Sequence, residues 1–125
     1  MNINNKEMAN HFYFYAGLIF ITIHEMDAIR CKEWRIFPGL SLLNDNLGYK
    51  IFMLAHIPLY FLIYWQLKND DLREPFIHGM SIFFIVHVGL HLLLLNNKKN
   101  EFKDWISWLF IVGAGVFGLL DLLNL

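Results

Sequence analysis

The sequence predicts an all-α integral membrane protein, a four-helix bundle with both termini on the outer side of the membrane. Hydrophobic residues make up 57% of the 125 residues and aromatic residues 17%, whereas soluble domains average about 45–50% apolar residues. Charged residues make up only 17%, against about 25% in soluble domains. The same balance excludes a disordered chain, which would be polar and poor in aromatic residues.

Two further features exclude other classes of protein. Cys31 is the single cysteine, so the chain has neither a disulfide framework nor a Cys-x-x-Cys zinc or redox motif. The formal net charge of −1 provides no basic field for nucleic acid. The sequence therefore indicates a single transmembrane domain whose main partner is the lipid bilayer.

Four stretches are long and apolar enough to be membrane spans, since a helix needs about 20 mostly apolar residues to cross a bilayer. They cover residues 11–29, 48–67, 76–95 and 105–125. The connectors after the second and third spans are short and polar, whereas the longer connector 30–47 mixes charged and apolar residues. We expect connector 30–47 to lie at the membrane surface as an amphipathic turn or a short helix.

Basic residues predict the orientation of the bundle. Seven lie in or beside the first and third connectors and three lie on the opposite side. The seven are Arg30, Lys32, Arg35, Lys50, Lys98, Lys99 and Lys103, and the three are Lys6, Lys68 and Arg73. Because cytoplasmic loops are enriched in Lys and Arg, connectors 30–47 and 96–104 are predicted to be cytoplasmic. The Asn, Lys, Ile and Phe content suggests an AT-rich bacterial genome and hence a bacterial inner membrane.

Several ionisable side chains lie inside the predicted spans, where a single Asp, Lys or Arg costs about 2.5–3.5 kcal/mol to insert. Four histidines fall at a similar depth when positions are counted along each helix. They are His24, His56, His87 and His91. His87 and His91 are four residues apart and share one helix face. Imidazoles from three helices at one depth predict a metal site for Zn²⁺ or iron.

The first functional hypothesis is a metal-dependent hydrolase acting on a lipid or another amphiphile at the inner leaflet. Glu25 or Asp27 would act as the general base, because a metal lowers the pKa of a water and a nearby carboxylate takes the proton. Trp34 and Arg35, in the interfacial connector, could steer an anionic headgroup.

Other functions fit the same residues. Two histidines on different helices, such as His56 with His87 or His91, could ligate haem b in an electron-transfer subunit. A non-enzymatic transporter, channel subunit or effector would need to oligomerise. The small residues Gly113, Ala114 and Gly118 on the last span favour close packing within the bundle or between subunits. Structural hydrogen bonding between helices is the simplest alternative for each histidine.

A second set of ionisable residues maps to the outer side of the membrane. It comprises His11, His78 and Asp121. His11 and His78 lie near span ends, where water reaches them, and Asp121 lies close to the headgroup region. These positions need no functional explanation.

Three segments carry a resemblance to a known family. They are HEMDAIRCKEWR (24–35), AHIPLYFLIYW (55–65) and HVGLHLLL (87–94). Together they resemble an uncharacterised family of small bacterial membrane proteins with a His-Glu-x-Asp-Ala segment followed by Glu-Trp-Arg. The resemblance implies no activity, but it marks positions to watch: His24, Glu25, Asp27, Glu33, Trp34, Arg35, His56, His87 and His91.

A more distant resemblance concerns the ligand set. Membrane hydrolases of the alkaline ceramidase and adiponectin receptor type hold zinc with three histidines, and His87-x-x-x-His91 with His56 or His24 is similar to that set. Those proteins have seven spans, whereas this sequence has four. Fatty-acid desaturases use about eight histidines, and the six present here do not match their boxes.

Overall fold

The computed structural model describes residues 11–123, and four long α-helices account for most of them. Helix α1 spans Phe12–Arg30, α2 spans Asp45–Lys68, α3 spans Asp70–Leu93 and α4 spans Trp105–Leu123. Each is long and apolar enough to cross a membrane. No strand occurs within the described residues, so the predicted all-α membrane bundle is confirmed. The side on which the termini lie stays a prediction, and Lys6, Asn124 and Leu125 lie outside the described residues.

Helices α1, α3 and α4 form the tightly packed part of the bundle, because small residues on α4 let its neighbours approach closely. A Cβ atom added at Gly113 would meet the ring of Phe20 at 2.4 Å, and one added at Gly118 would meet the backbone oxygen of Ser81 at 2.5 Å. Ala114 is fully buried in the same interface. The small residues predicted as a possible oligomer contact are therefore used inside the chain.

Helix α2 lies at the side of this group and packs mainly against α3 and the first connector. Only Gly48, Phe52 and Ile63 of its residues are buried. Gly48 admits the indole of Trp34, which would lie 2.6 Å from an added Cβ atom. Most of the apolar surface of α2 thus faces outward, as expected of a helix surrounded by lipid.

The junction between α2 and α3 is much tighter than the predicted polar linker 68–75. Only Asn69 separates the two helices, and its side chain caps α3 by accepting a hydrogen bond from the backbone N–H of Asp71 at 3.1 Å. Asp70 and Asp71 occupy the first turn of α3, where negative charge stabilises the positive end of the helix dipole. The charged residues that resemble a loop in the sequence are therefore a helix start.

The connector after α1 contains two short 3₁₀ helices, Glu33–Arg35 and Leu40–Leu42. Between α1 and the first of them, Lys32 adopts a left-handed conformation with φ of 50°, which is uncommon for a residue with a Cβ atom. This turn reverses the chain. As a result, Glu33 and Trp34 are buried against the end of the bundle. The location of connector 30–47 at the membrane surface stays a prediction.

The close approach at Gly118 provides a test of the packing. We expect Gly118→Ala to reduce the free energy of unfolding by about 1–3 kcal/mol, because the added methyl group would meet a backbone atom that cannot rotate away. The matched control is Gly79→Ala on α3, where an added Cβ atom has nothing within 4 Å; its effect should stay within about 1 kcal/mol. The measurement is SDS titration of purified protein followed by far-UV circular dichroism, and equal effects would contradict the packing.

Candidate metal centre

Four side chains from three separate segments meet near the end of the bundle that carries the first and third connectors. They are His24, Glu33, His87 and His91, and together they are called the ligand cluster below. One potential ligand atom from each lies within 4.8 Å of the corresponding atoms of all the others. All four residues are buried, and His24, at 0% exposure, lies at the centre.

The helices set the positions of the three imidazoles. His87 and His91 are one turn apart on α3, and their ring centroids lie 4.6 Å from each other. His24 on α1 contacts both, with centroid distances of 4.6 Å to His87 and 4.9 Å to His91. All three pairs meet edge to face, and one ring nitrogen of each histidine lies within 4.8 Å of the other potential ligand atoms.

Glu33 reaches the cluster because the chain reverses after α1. The N–H of Cys31 bonds to Asp27 O at 2.9 Å, and the N–H of Ile36 bonds to Glu33 O at 3.0 Å. These bonds close the turns on either side of Lys32. The carboxylate of Glu33 thereby lies over the end of α1, with Oε2 3.6 Å from His24 Nε2.

Four buried polar atoms of the ligand cluster lack hydrogen-bond partners within residues 11–123. Both ring nitrogens of His24, Oε2 of Glu33 and Nδ1 of His87 are buried without one. The carboxylate of Glu33 also makes no ion pair with Lys or Arg in this part of the chain. Burial of unpaired polar and charged groups costs several kcal/mol, and one bound cation would provide a partner for one ligand atom of each of the four residues.

One distance between potential ligand atoms is close to that in a site for a small divalent cation. In a tetrahedral zinc site with bonds of about 2.0–2.2 Å, neighbouring ligand atoms lie roughly 3.4 Å apart. The 3.6 Å between His24 Nε2 and Glu33 Oε2 is close to that value. Three neutral imidazoles and one carboxylate are also ordinary ligands for Zn²⁺ or Fe²⁺. The residues present therefore fit a metal ion.

An apolar shell encloses the ligand cluster. The ring of Phe102, in the third connector, lies 5.4 Å from His24 and 4.7 Å from His91 between centroids. Phe102 is held by two hydrogen bonds: its N–H donates to Asn100 Oδ1 at 3.1 Å, and its carbonyl accepts from the Trp108 indole at 2.8 Å. Such a shell keeps water from the site and strengthens electrostatic interactions within it.

His56, the other histidine predicted as a ligand, lies outside the ligand cluster. Its Nε2 is 2.7 Å from Glu25 Oε2, and its Nδ1 is 2.6 Å from the carbonyl oxygen of Phe52. A carbonyl oxygen only accepts, so Nδ1 carries a hydrogen. The contact between Nε2 and Oε2 then also requires a hydrogen, which imidazole and carboxylate share. We call these two residues the Glu25–His56 pair.

The Glu25–His56 pair lies beside a cavity of about 320 Å³ between α1, α2 and α3. Its walls are mostly apolar and include Leu18 and Ile21 of α1, Leu59 and Ile63 of α2, and Phe83 of α3, with Glu25 among the lining residues. We call it the lateral cavity. The ring of Phe83 also contacts His87, with centroids 5.7 Å apart. One aromatic side chain thus borders both the cavity and the ligand cluster.

The remaining predicted site residues have local partners. Asp27 accepts a hydrogen bond from Arg30 Nε at 2.7 Å. Trp34 is buried, and its indole N–H donates to Asp45 at 3.3 Å. Arg35 pairs with the same Asp45 carboxylate through two hydrogen bonds, one of them 2.8 Å long. Trp34 and Arg35 therefore brace the connector against α2, Asp27 is engaged within α1, and none of the three joins the ligand cluster.

The second predicted set of ionisable residues partly comes together at the opposite end of the bundle. His11 Nε2 lies 2.7 Å from Glu74 Oε1, and His11 Nδ1 lies 3.8 Å from Asp121 Oδ1. The hydroxyl of Ser81 donates to Asp121 at 2.9 Å. His78 is exposed. These contacts join α1, α3 and α4 by ordinary polar interactions between helices.

Glu33 is the one member of the ligand cluster that reasoning from spans did not select as a ligand. It lies in a connector, beyond the predicted span, and its approach depends on the left-handed turn at Lys32. The family resemblance did mark Glu33 as a position to watch. An acidic residue shortly after a span that contains histidine was therefore a usable signal in the sequence. The turn that brings Glu33 to the histidines could not be predicted from it.

Comparison with known proteins places the chain in a family. Residues 10–125 match the model of DUF6713, described as a family of unknown function, and the chain belongs to that family. The resemblance to an uncharacterised family is thereby confirmed. Neither the curated proteins nor the solved structures contain a significant match, so no activity follows from these comparisons.

Cys31, which packs in the apolar shell beside the ligand cluster, permits a test of that shell. Burial, followed by the negative charge of Asp27, raises the pKa of the Cys31 thiol to about 11. We expect slow modification by N-ethylmaleimide in folded protein at pH 7, accelerating about tenfold per pH unit as thiolate forms. The same protein in SDS should react fast at pH 8, since a free thiol has a pKa of about 8.5. Rapid labelling of the folded protein at pH 7 would contradict this burial.

Proposed function

We propose that this protein is a membrane-embedded metalloprotein, with one Zn²⁺ or Fe²⁺ held by His24, Glu33, His87 and His91. The observation that carries the proposal is the meeting of four buried ligand atoms from three segments. Several of them lack any other partner within residues 11–123. Structural hydrogen bonding does not explain His24, because neither of its ring nitrogens makes a hydrogen bond in that part of the chain.

We further propose that the metal serves hydrolysis of a lipid or another amphiphile. A divalent metal that accepts a fifth ligand beside these four residues would polarise a substrate carbonyl or lower the pKa of a bound water. Glu25 follows His24 directly in the sequence and lines the lateral cavity, so it can face a substrate there as the general base. Asp27, the other predicted base, is engaged with Arg30. This ligand set also resembles the three histidines of the alkaline ceramidase type of hydrolase.

Haem b is less compatible with the geometry. Axial histidines stand on opposite faces of a macrocycle, whereas His24 and His87 contact each other directly with centroids 4.6 Å apart. His56 is bonded at both ring nitrogens. The proposal of a single metal ion is therefore preferred over haem b.

We also propose that connectors 30–47 and 96–104 lie on the cytoplasmic side of a bacterial inner membrane, as the distribution of Lys and Arg predicts.

Elemental analysis of detergent-purified protein tests the metal site. We expect about one zinc or iron per chain, falling below about one tenth in a His87→Ala/His91→Ala double variant because two of four ligands are removed. The matched control is His56→Ala, which removes a buried imidazole outside the ligand cluster and should keep the metal. Chelation should lower the Tm of the wild-type protein, since the ion binds only the folded state. A Soret band, or the absence of metal from protein never exposed to chelator, would contradict the proposal.

Hydrolysis is tested with Glu25→Gln. With a fluorescent long-chain ester and a fluorescent N-acyl amide in micelles, we expect turnover that needs the metal. General-base catalysis contributes about 10²–10⁴-fold, so the variant should lose at least about 100-fold in kcat while retaining full metal content. Asp27→Asn provides the control and should keep most of the activity. Equal losses in both variants would exclude Glu25 as the general base, and metal-independent turnover would exclude a role of the metal in hydrolysis.

A further inference from the structure

Helix α2 leaves open space beside α1 that tight packing would otherwise fill. The lateral cavity measures about 320 Å³, at the lower end of the roughly 300–1,000 Å³ typical of small-molecule sites. Its walls combine the buried residues Ile21 and Ile63 with the outward-facing residues Leu59 and Phe83. The space is therefore open toward the surface that lipid covers.

The lining of the cavity is mostly apolar, and its polar groups are the carboxylate of Glu25 and the hydroxyls of Thr22, Tyr60 and Tyr64. Glu25 lies at the end nearer the ligand cluster, and one of its oxygens bonds to His56. Its other oxygen, Oε1, has no hydrogen-bond partner within residues 11–123. The hydroxyl of Thr22 is turned to the backbone, where it donates to Leu18 O at 2.7 Å. Among the residues that line the cavity, Glu25 thus offers the one carboxylate, which is a stronger hydrogen-bond acceptor than a tyrosine hydroxyl.

We propose that the lateral cavity binds the hydrocarbon chain of a single-chain amphiphile whose polar end donates a hydrogen bond from a hydroxyl or amide N–H to Glu25. Apolar walls at the depth of the bilayer core favour hydrocarbon over water, which needs two or more polar partners to stay bound. The small volume favours one chain over two. This inference deepens the proposed function by naming the substrate class, but the cavity is formed without any residue of the ligand cluster.

Photolabelling of protein in phosphatidylcholine nanodiscs tests the proposal. The probe is hexadecanol bearing a diazirine on its chain, and modified residues are identified by mass spectrometry of peptides. We expect adducts to concentrate on cavity residues of α1 and α2, such as Ile21, Leu59 and Ile63. Unlabelled hexadecanol should compete better than hexadecane, because only the alcohol can donate to Glu25. In Glu25→Gln, hexadecanol should compete only slightly better than hexadecane, since a charged carboxylate accepts a stronger hydrogen bond than a neutral amide.

Two tryptophan variants on the same helix separate the cavity from the general lipid surface. Leu59→Trp places a bulky ring in the cavity from a position that is already 45% exposed, and labelling should fall about tenfold. Ile57→Trp adds the same ring at a position 67% exposed and outside the cavity, and labelling should not change. Equal labelling of Ile57 and Ile63, equal competition by hexadecane, or full labelling of Leu59→Trp would overturn the proposal.

The same experiment on metal-free protein distinguishes this inference from the proposed function. Cavity labelling should persist after chelation and in the His87→Ala/His91→Ala variant. Absence of metal with retained labelling would refute the metalloprotein and leave the lipid site intact. Bound metal, with labelling spread evenly over the lipid-facing surface, would support the metalloprotein and refute the lipid site.

Discussion

The buried carboxylate of Glu33 is the constraint on which one end of the bundle depends, the end that carries the first and third connectors. A negative charge enclosed with three imidazoles and an apolar shell needs positive charge nearby, and no Lys or Arg in the described part of the chain pairs with it. A cation shared with His24, His87 and His91 would meet that need. It would also offset the cost of the left-handed backbone at Lys32, a conformation that costs free energy in a residue other than glycine.

A metal at this position would join elements that are otherwise held by few strong contacts. His24 comes from α1, His87 and His91 from α3, and Glu33 from the connector that leads to α2. In a membrane, apolar burial gives little preference for one helix arrangement over another, so polar contacts and close packing decide it. The Ser81–Asp121 hydrogen bond and the glycines of α4 serve that purpose toward the other end of the bundle.

The sequence predicted the helices well and the site only in part, for a physical reason. Span length and composition follow directly from the thickness of the bilayer, and depth counting brought His24, His87 and His91 to one layer. Depth contains no information about direction around the helix axis or about neighbours. His56 shares the layer but bonds to Glu25 on the side of the peripheral helix. Glu33 lies outside the spans and reaches the layer of histidines through the turn at Lys32. Hydrophobic periodicity in the sequence does not predict such a turn.

The unequal packing of the four helices gives the two candidate sites different physical properties. Between α1, α3 and the connectors, close contacts exclude water and hold ligand atoms near one another, as a metal site requires. Between α1 and α2, looser packing leaves a cavity that hydrocarbon can enter from the side. Phe83, which lines this cavity and contacts His87, and Glu25, which follows His24 in the chain, connect the two regions. Chemistry on a substrate dissolved in the membrane requires a tightly packed site beside a loosely packed apolar cavity. The reacting group must be held in place while the hydrocarbon chain of the substrate is free to enter.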